Sequence, residues 1–258
     1  MRMSGYPSIM YEIPDVKYQA SGKIHLNIFL RKAKKSVNEW GRLSHGNDAG
    51  VEYTDTIEYI AHTEVPKNKK FTYASFVCDC CPLKDEQWRV RLVVGGDKLP
   101  YDSDSGSPTT DMIETKLLIN STISDADKGA RFATLDLKDM FLHMKMDDPE
   151  YMKVSLKYFP PDIIQRYNLH ALIHNGYITM RINKGMYGLK QAALLAYETV
   201  SSLLINGGYT PIAGSLGLWT HKTRDLSFCL CVDDFGVQYV GQEHAKHLIK
   251  TLTKILRH

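Results

Sequence analysis

Two short apolar runs in this 258-residue chain each break on aspartate, and no other feature restricts its folding so tightly. One reads Ala133-Thr134-Leu135-Asp136-Leu137; the other reads Phe228-Cys229-Leu230-Cys231-Val232-Asp233-Asp234. Apolar runs this short, bounded by charge, read as strands. Side chains alternate along a strand, so Asp136 faces away from Leu135 and Leu137. In the second run Cys229, Cys231 and Asp233 share one face, and Leu230 and Val232 share the other. Laid side by side, the two strands would bring Asp136 close to Asp233, with Asp234 at the hairpin tip. Carboxylates held that close repel and raise each other's pKa. A divalent cation relieves the repulsion, and magnesium favours carboxylate oxygens together with substrate phosphates. The pattern therefore suggests a two-metal centre for phosphoryl transfer. The plainer readings are turn chemistry for Asp233-Asp234 and a helix cap for Asp136.

Composition narrows the rest. Hydrophobic content of 43% and charged content of 24% lie near globular averages, which excludes a disordered, collagenous or coiled-coil chain. A chain of this length buries enough surface to need no disulfide or metal staple. No apolar run approaches the roughly 18 residues of a membrane span. The N-terminal residues carry no apolar signal core, which implies an intracellular protein, cytoplasmic or nuclear and not secreted. The net charge of +3 permits nucleic-acid binding without demanding it. Cys78, Cys80, Cys81, Cys229 and Cys231 are odd in number and too tightly spaced for a disulfide framework or a zinc ribbon, so they read as reduced thiols.

Residues 1–70 read as an irregular N-terminal extension or linker with basic clusters and one short helix over residues 29–40. From residue 71 to 258 the periodicity strengthens and predicts an α+β domain with a mixed, mainly antiparallel sheet. Residues 72–78 and 89–94 read as paired strands about Cys81-Pro82, and residues 110–124 as a helix with Ile113, Leu117 and Leu118 on its apolar face. Residues 131–137 and 153–158 read as strands. Asn175-Gly176 predicts a hairpin over residues 171–183. Residues 189–206 form the best helix pattern, framed before by Gly185 and Gly188 and stopped by Gly207-Gly208. Lys190 and Gln191 open that helix, where a phosphate or a base would be favoured. Arg89 and Arg91 lie two apart on one strand face, a spacing that can clamp a triphosphate. The last stretch, residues 243–257, repeats an apolar face at Ala245, Leu248, Ile249, Leu252 and Ile255, and its other face is basic.

In order along the chain, WRVRLVVGGDK, ATLDLKDMFL, KGMYGLKQAA and CVDDFGVQYVG resemble the reverse transcriptases of LTR retrotransposons, and YGLKQA resembles the copia type in particular. The resemblance implies partial fingers and palm of a right-hand polymerase. It implies Asp136, Asp233 and Asp234 as catalytic residues. It also implies two Mg²⁺ ions, or Mn²⁺ in their place, on Asp136, Asp233 and the Leu137 carbonyl. Nucleotide contacts would come from the backbone N–H groups of Asp139 and Met140, from Gln191, and from Arg89 or Arg91. Phe141 would be the aromatic that excludes a ribose 2′-OH, a role compatible with an ordinary core position. The implied reaction is RNA-directed DNA synthesis, with a primer 3′-OH attacking a dNTP on an RNA or DNA template. The implied partners are that template and primer, the dNTP and other segments of a transposon polyprotein.

The sequence departs from the family at Cys231, where tyrosine is usual. Leu194 and Leu195 stand where copia-type proteins carry proline and arginine, and Gly95-Gly96 where a basic residue is common. The chain ends one helix past the Asp-Asp hairpin, before the family's later palm strands, thumb and ribonuclease H. The expectation is accordingly a truncated polymerase fragment. The alternative is a catalytically inactive transposon remnant that at most binds nucleic acid or a partner. A metal-dependent nuclease ranks last, for want of a base motif.

Overall fold

The computed structural model describes residues 56–80, 88–101, 105–137, 140–159, 161–215 and 217–255. It is a mixed α+β structure built on two five-stranded sheets, mostly antiparallel, with few helices. The helix expected over residues 29–40 lies outside the described residues.

The first sheet uses β1 (Ile57–Ile60), β2 (Phe71–Cys80), β3 (Trp88–Val94), β5 (Lys145–Ser155) and β6 (Tyr177–Lys184), in the order β1-β6-β5-β2-β3. Only β2 and β5 run parallel. The second sheet is antiparallel throughout, in the order β4-β10-β9-β8-β7. Its strands are β4 (Ala130–Asp136), β7 (Tyr209–Pro211), β8 (Leu218–His221), β9 (Leu226–Cys231) and β10 (Asp234–Val240). Four helices complete the fold: α1 (Met112–Ser124), α2 (Pro161–Arg166), α3 (Ala192–Asn206) and α4 (Gln242–Leu252).

One continuous apolar core joins the two sheets. Met152 and Val154 of β5 and Ile178, Met180 and Ile182 of β6 enter it from the first sheet. Phe228, Leu230, Phe235 and Val237 enter from the second, with Leu248 and Leu252 of α4. Helix α3 supplies Ala192, Ala196, Val200 and Leu204, a stripe at four-residue spacing whose small first half permits close packing. Gly188 explains how the start of α3 reaches β3. It takes φ 96, and a Cβ there would strike the Val94 carbonyl oxygen, while Val94 N–H donates to the Tyr187 carbonyl at 2.8 Å.

Several sequence expectations shift. The stretch read as an irregular extension ends at Thr56: β1 buries Ile57, Tyr59 and Ile60 and pairs with β6. Its short length and mixed polar surroundings hid its period. Strand β5 starts at Lys145, well before residue 153, and residues 156–158 turn into a 3-10 helix. The Asn175-Gly176 turn forms with both residues at positive φ, yet only the single bridge His174 to Tyr177 precedes it. Strand β6 takes β5 as its partner instead, because residues 169–172 are a 3-10 helix. Helix α1 starts where the acids indicated, in a capping box: Glu114 N–H donates to Asp111 Oδ1 at 2.7 Å and Asp111 N–H to Glu114 Oε2 at 3.0 Å. Its buried side is Leu118 and Thr122, leaving Ile113 and Leu117 exposed. Apolar residues ring this helix, so periodicity alone selects no face.

Candidate active site

Strands β4 and β10 are neighbours, and their register sets Asp136 directly opposite Asp234. Leu137 N–H donates to the Asp233 carbonyl at 3.0 Å, so the next pair along is hydrogen-bonded. Ladder pairs alternate in type, which makes Asp136–Asp234 a non-hydrogen-bonded pair, the kind with the closest side chains. Both residues are exposed. Across β10, Cys231 of β9 is the other partner of Asp234, so Asp136, Asp234 and Cys231 form one row over three strands. The Cys231 thiol reports the field of that row: partial burial, then the carboxylates of Asp234 and Asp233, hold its pKa above the usual value.

The turn between β9 and β10 has two residues, Val232 and Asp233. Val232 takes φ 59, the left-handed region that a β-branched side chain rarely enters. Such a residue stores about 1–3 kcal/mol and persists only where its surroundings hold it. Here Val232 packs against the core and Asp233 is tied through its carbonyl to Leu137. The sequence reading put Asp234 at the tip; the two-residue turn instead puts Asp233 there and makes Asp234 the first residue of β10.

The remaining candidates are placed as follows. Met140 N–H donates to the Leu137 carbonyl at 3.2 Å, so a backbone donor expected at a triphosphate and a carbonyl expected at a metal are bonded to each other. The carbonyl keeps a second lone pair; the N–H has no second hydrogen. Phe141 is 9% exposed and meets Tyr187 edge to face, with ring centroids 5.0 Å apart. Arg89 and Arg91 lie on β3, the edge strand of the first sheet, opposite Asp79 and Val77. Asp139 lies outside the described residues. Lys190 Nζ donates to the Leu99 carbonyl at 3.3 Å.

Gln191 sits elsewhere. It lines a cavity of about 470 Å³ with Asp147, Asp148, Glu150 and Glu198, and none of Asp136, Asp233 and Asp234 borders that space. Burial, and then the neighbouring Asp148, push the Glu150 carboxyl up, against the opposing pull of Lys69 and a hydrogen bond from Gln191. Sequence reading missed this acidic hollow. Its one legible trace is the run Asp147-Asp148-Pro149-Glu150.

Among the described residues no group of three or more His, Cys, Asp or Glu side chains converges as a ready metal cage. The donor chemistry still fits magnesium, which is ordinarily held by one or two carboxylates and completed by water and substrate phosphates. An exposed pair of opposed carboxylates is a donor set of that kind.

No protein-family model matches the chain. Comparison with curated proteins does find relatives. The chain is 26% identical over 204 residues to the Transposon Ty1-LR2 Gag-Pol polyprotein of Saccharomyces cerevisiae, a match covering 78% of this chain and 10% of that protein. The Ty1-ML2 polyprotein of the same yeast matches equally. The Ty1-DR4 polyprotein is 25% identical over 202 residues, 77% of this chain and 11% of its own length. The likeness supports a retrotransposon origin for this chain. It spans about a tenth of the length of the polyproteins it matches. No helix among the described residues is long and apolar enough to cross a membrane.

Proposed function

We propose that the chain is the fingers and palm portion of an RNA-directed DNA polymerase of a copia-type retrotransposon, working with other segments of its polyprotein. In this reading the first sheet belongs to the fingers and the second to the palm. The observation that carries it is the β4–β10 register: two aspartates far apart in sequence face each other beside a tight Val232-Asp233 turn. The likeness to Gag-Pol polyproteins supports the same reading from an independent side.

Asp136, Asp233 and Asp234 would hold the Mg²⁺ ions. Such ions activate an attacking oxygen and neutralise the charge of a leaving pyrophosphate. What the chain's own residues contribute is placement. Strand pairing fixes Asp136 against Asp234, and the hydrogen bond from Leu137 to Asp233 fixes the turn. Template choice would come from base pairing, so the protein needs only an electrostatic grip on backbones.

A catalytically inactive remnant is the second reading. Three observations favour it: Met140 N–H is already bonded to Leu137, Lys190 to Leu99, and the hollow at Gln191 is lined with carboxylates that repel a triphosphate. Primer extension on an RNA template with Mg²⁺ or Mn²⁺ separates the two. The polymerase reading expects extension that falls at least about a hundredfold in Asp136→Asn and Asp233→Asn. Extension that survives both substitutions, or none at all from a folded parent chain, refutes it.

A further inference from the structure

At the end of the second sheet remote from the aspartates, positive charge gathers from two elements. Helix α4 presents Lys246 and Lys250, and Lys254 continues the row in the turn that follows; all three are exposed. Residues four apart on a helix rise about 6 Å, so the row is roughly 12 Å long. The turn from β8 to β9 brings Lys222 and Arg224 alongside. Arg224 Nη1 lies 3.4 Å from His244 Nδ1, which links that turn to α4.

The groups between them confirm that these cations share one field. His247 and His221 pack ring against ring, 5.3 Å between centroids. Burial lowers the proton affinity of both; Arg224, Lys250 and Lys254 lower His247 further, as Arg224, His244 and Lys222 lower His221. Two carboxylates stand nearby. Glu243 Oε1 is 3.5 Å from His244 Nε2, and the charge of Asp225 bears on Lys128. Five permanent cations against two carboxylates leave a positive strip that the whole-chain charge of +3 conceals.

We propose that this strip, Lys222, Arg224, Lys246, Lys250 and Lys254, binds the phosphodiester backbone of a nucleic-acid strand through charge alone. An evenly spaced row of single charges matches an evenly charged polymer. A protein segment would instead be anchored by an apolar or aromatic group in a pocket, and Ile249, the exposed apolar residue of α4, lies off the flank of the row. Strand β9 runs from Leu226, beside the strip, to Cys231, beside the aspartates, which separates the two by about 17 Å at roughly 3.3 Å per residue. The strip is thus a second contact, and a chain without polymerase activity would still carry it.

The test uses the full chain and labelled single-stranded RNA and DNA 20-mers, titrated at several salt concentrations. In the combined variant K246Q/K250Q/K254Q, affinity should fall at least about tenfold at low salt. The slope of log K against log salt should shrink by about 2, since each lost phosphate contact on a single strand removes about 0.7. Should the triple variant fail to fold by circular dichroism, K246Q alone carries the test, with an expected slope change of about 0.7. Asp136→Asn should bind like the parent, which keeps this result separate from any failure of primer extension. Unchanged affinity and slope in the lysine variant overturn the proposal, and so does polyglutamate competing better than the oligonucleotide at equal charge.

Discussion

Replacing Asp234 by asparagine should stabilise the chain when no divalent cation is present. Asp136 and Asp234 are direct cross-strand partners in a non-hydrogen-bonded pair, where Cβ atoms lie about 4.5–5.5 Å apart. At about 5 Å, two like charges repel by about 0.8 kcal/mol in water and about 3 kcal/mol at an effective dielectric of 20. Both residues are exposed, so the lower figure governs, and cross-strand pairs of this kind are worth about 0.2–1 kcal/mol. Asp234→Asn should therefore raise the unfolding free energy by about 0.5–1 kcal/mol in EDTA at low ionic strength. For a chain of this size that is a melting-point gain of about 1–4 °C. Urea unfolding of the parent, Asp136→Asn, Asp234→Asn and the double variant closes a double-mutant cycle. The second substitution should add clearly less than the first, and most of the gain should vanish at 0.5 M salt, where screening shortens to a few ångströms. Magnesium should stabilise the parent more than either single variant. A gain that is additive in the cycle, or insensitive to salt, would show that the two carboxylates do not face each other.

Three other outcomes follow from the fold. His221 and His247 are held below the ordinary imidazole range, chiefly by burial, so the unfolded chain takes up protons first as pH falls. Stability present above about pH 6.5 is then lost below it, at no more than about 1.4 kcal/mol per pH unit for each ring and about half that after screening. Urea midpoints from pH 7.5 to 5 should fall less steeply in His247→Asn, and a slope unchanged by that substitution would count against the assignment. Gly188→Ala forces a Cβ into the Val94 carbonyl at φ 96, and should cost about 2–5 kcal/mol, read as a melting-point loss of at least about 5 °C. Trp219 is 1% exposed, stacked parallel to Phe228, and its indole N–H has no partner among the described residues. Trp219→Phe removes that unpaired donor and should cost under about 1.5 kcal/mol, against about 3–5 for Trp219→Ala; equal costs would contradict it.

Local chemistry was legible where one residue decides the backbone. Asp111 and Glu114 marked the start of α1, Gly207-Gly208 the end of α3, and Asn175-Gly176 a turn with two positive φ values. The pairing of β2 with β3 and of β9 with β10 followed from adjacency in sequence. Tertiary competition was not legible. Whether residues 171–174 or β5 would pair with β6 depends on a strand some twenty residues upstream, and whether α1 buries Leu117 or Leu118 depends on what it lies against. The candidate site divides in the same way. That an Asp-Asp turn and a second acidic strand belong together was readable; which aspartate faces Asp136 was not, because it depends on the number of residues the turn consumes. The partner of Gln191, a carboxylate forty positions away, had no local signature at all.

Those differences bear on what the aspartates can do. A like-charged pair on flexible loops would relax by moving apart, and its repulsion would cost almost nothing. Here the backbone forbids that escape. Asp136 and Asp234 are fixed by a seven-residue antiparallel ladder, Asp233 by the bond from Leu137, and the turn itself by a valine held at φ 59 against its preference. Strain in the turn and repulsion across the ladder both oppose folding, and nothing in the core requires either. Val232→Gly would relieve the first and Asp234→Asn the second without disturbing a buried side chain from its core partners. That a stable sheet retains both is the pattern expected where folding energy holds charges ready for a cation, and the magnesium dependence of the Asp136–Asp234 coupling is the quantity that decides it.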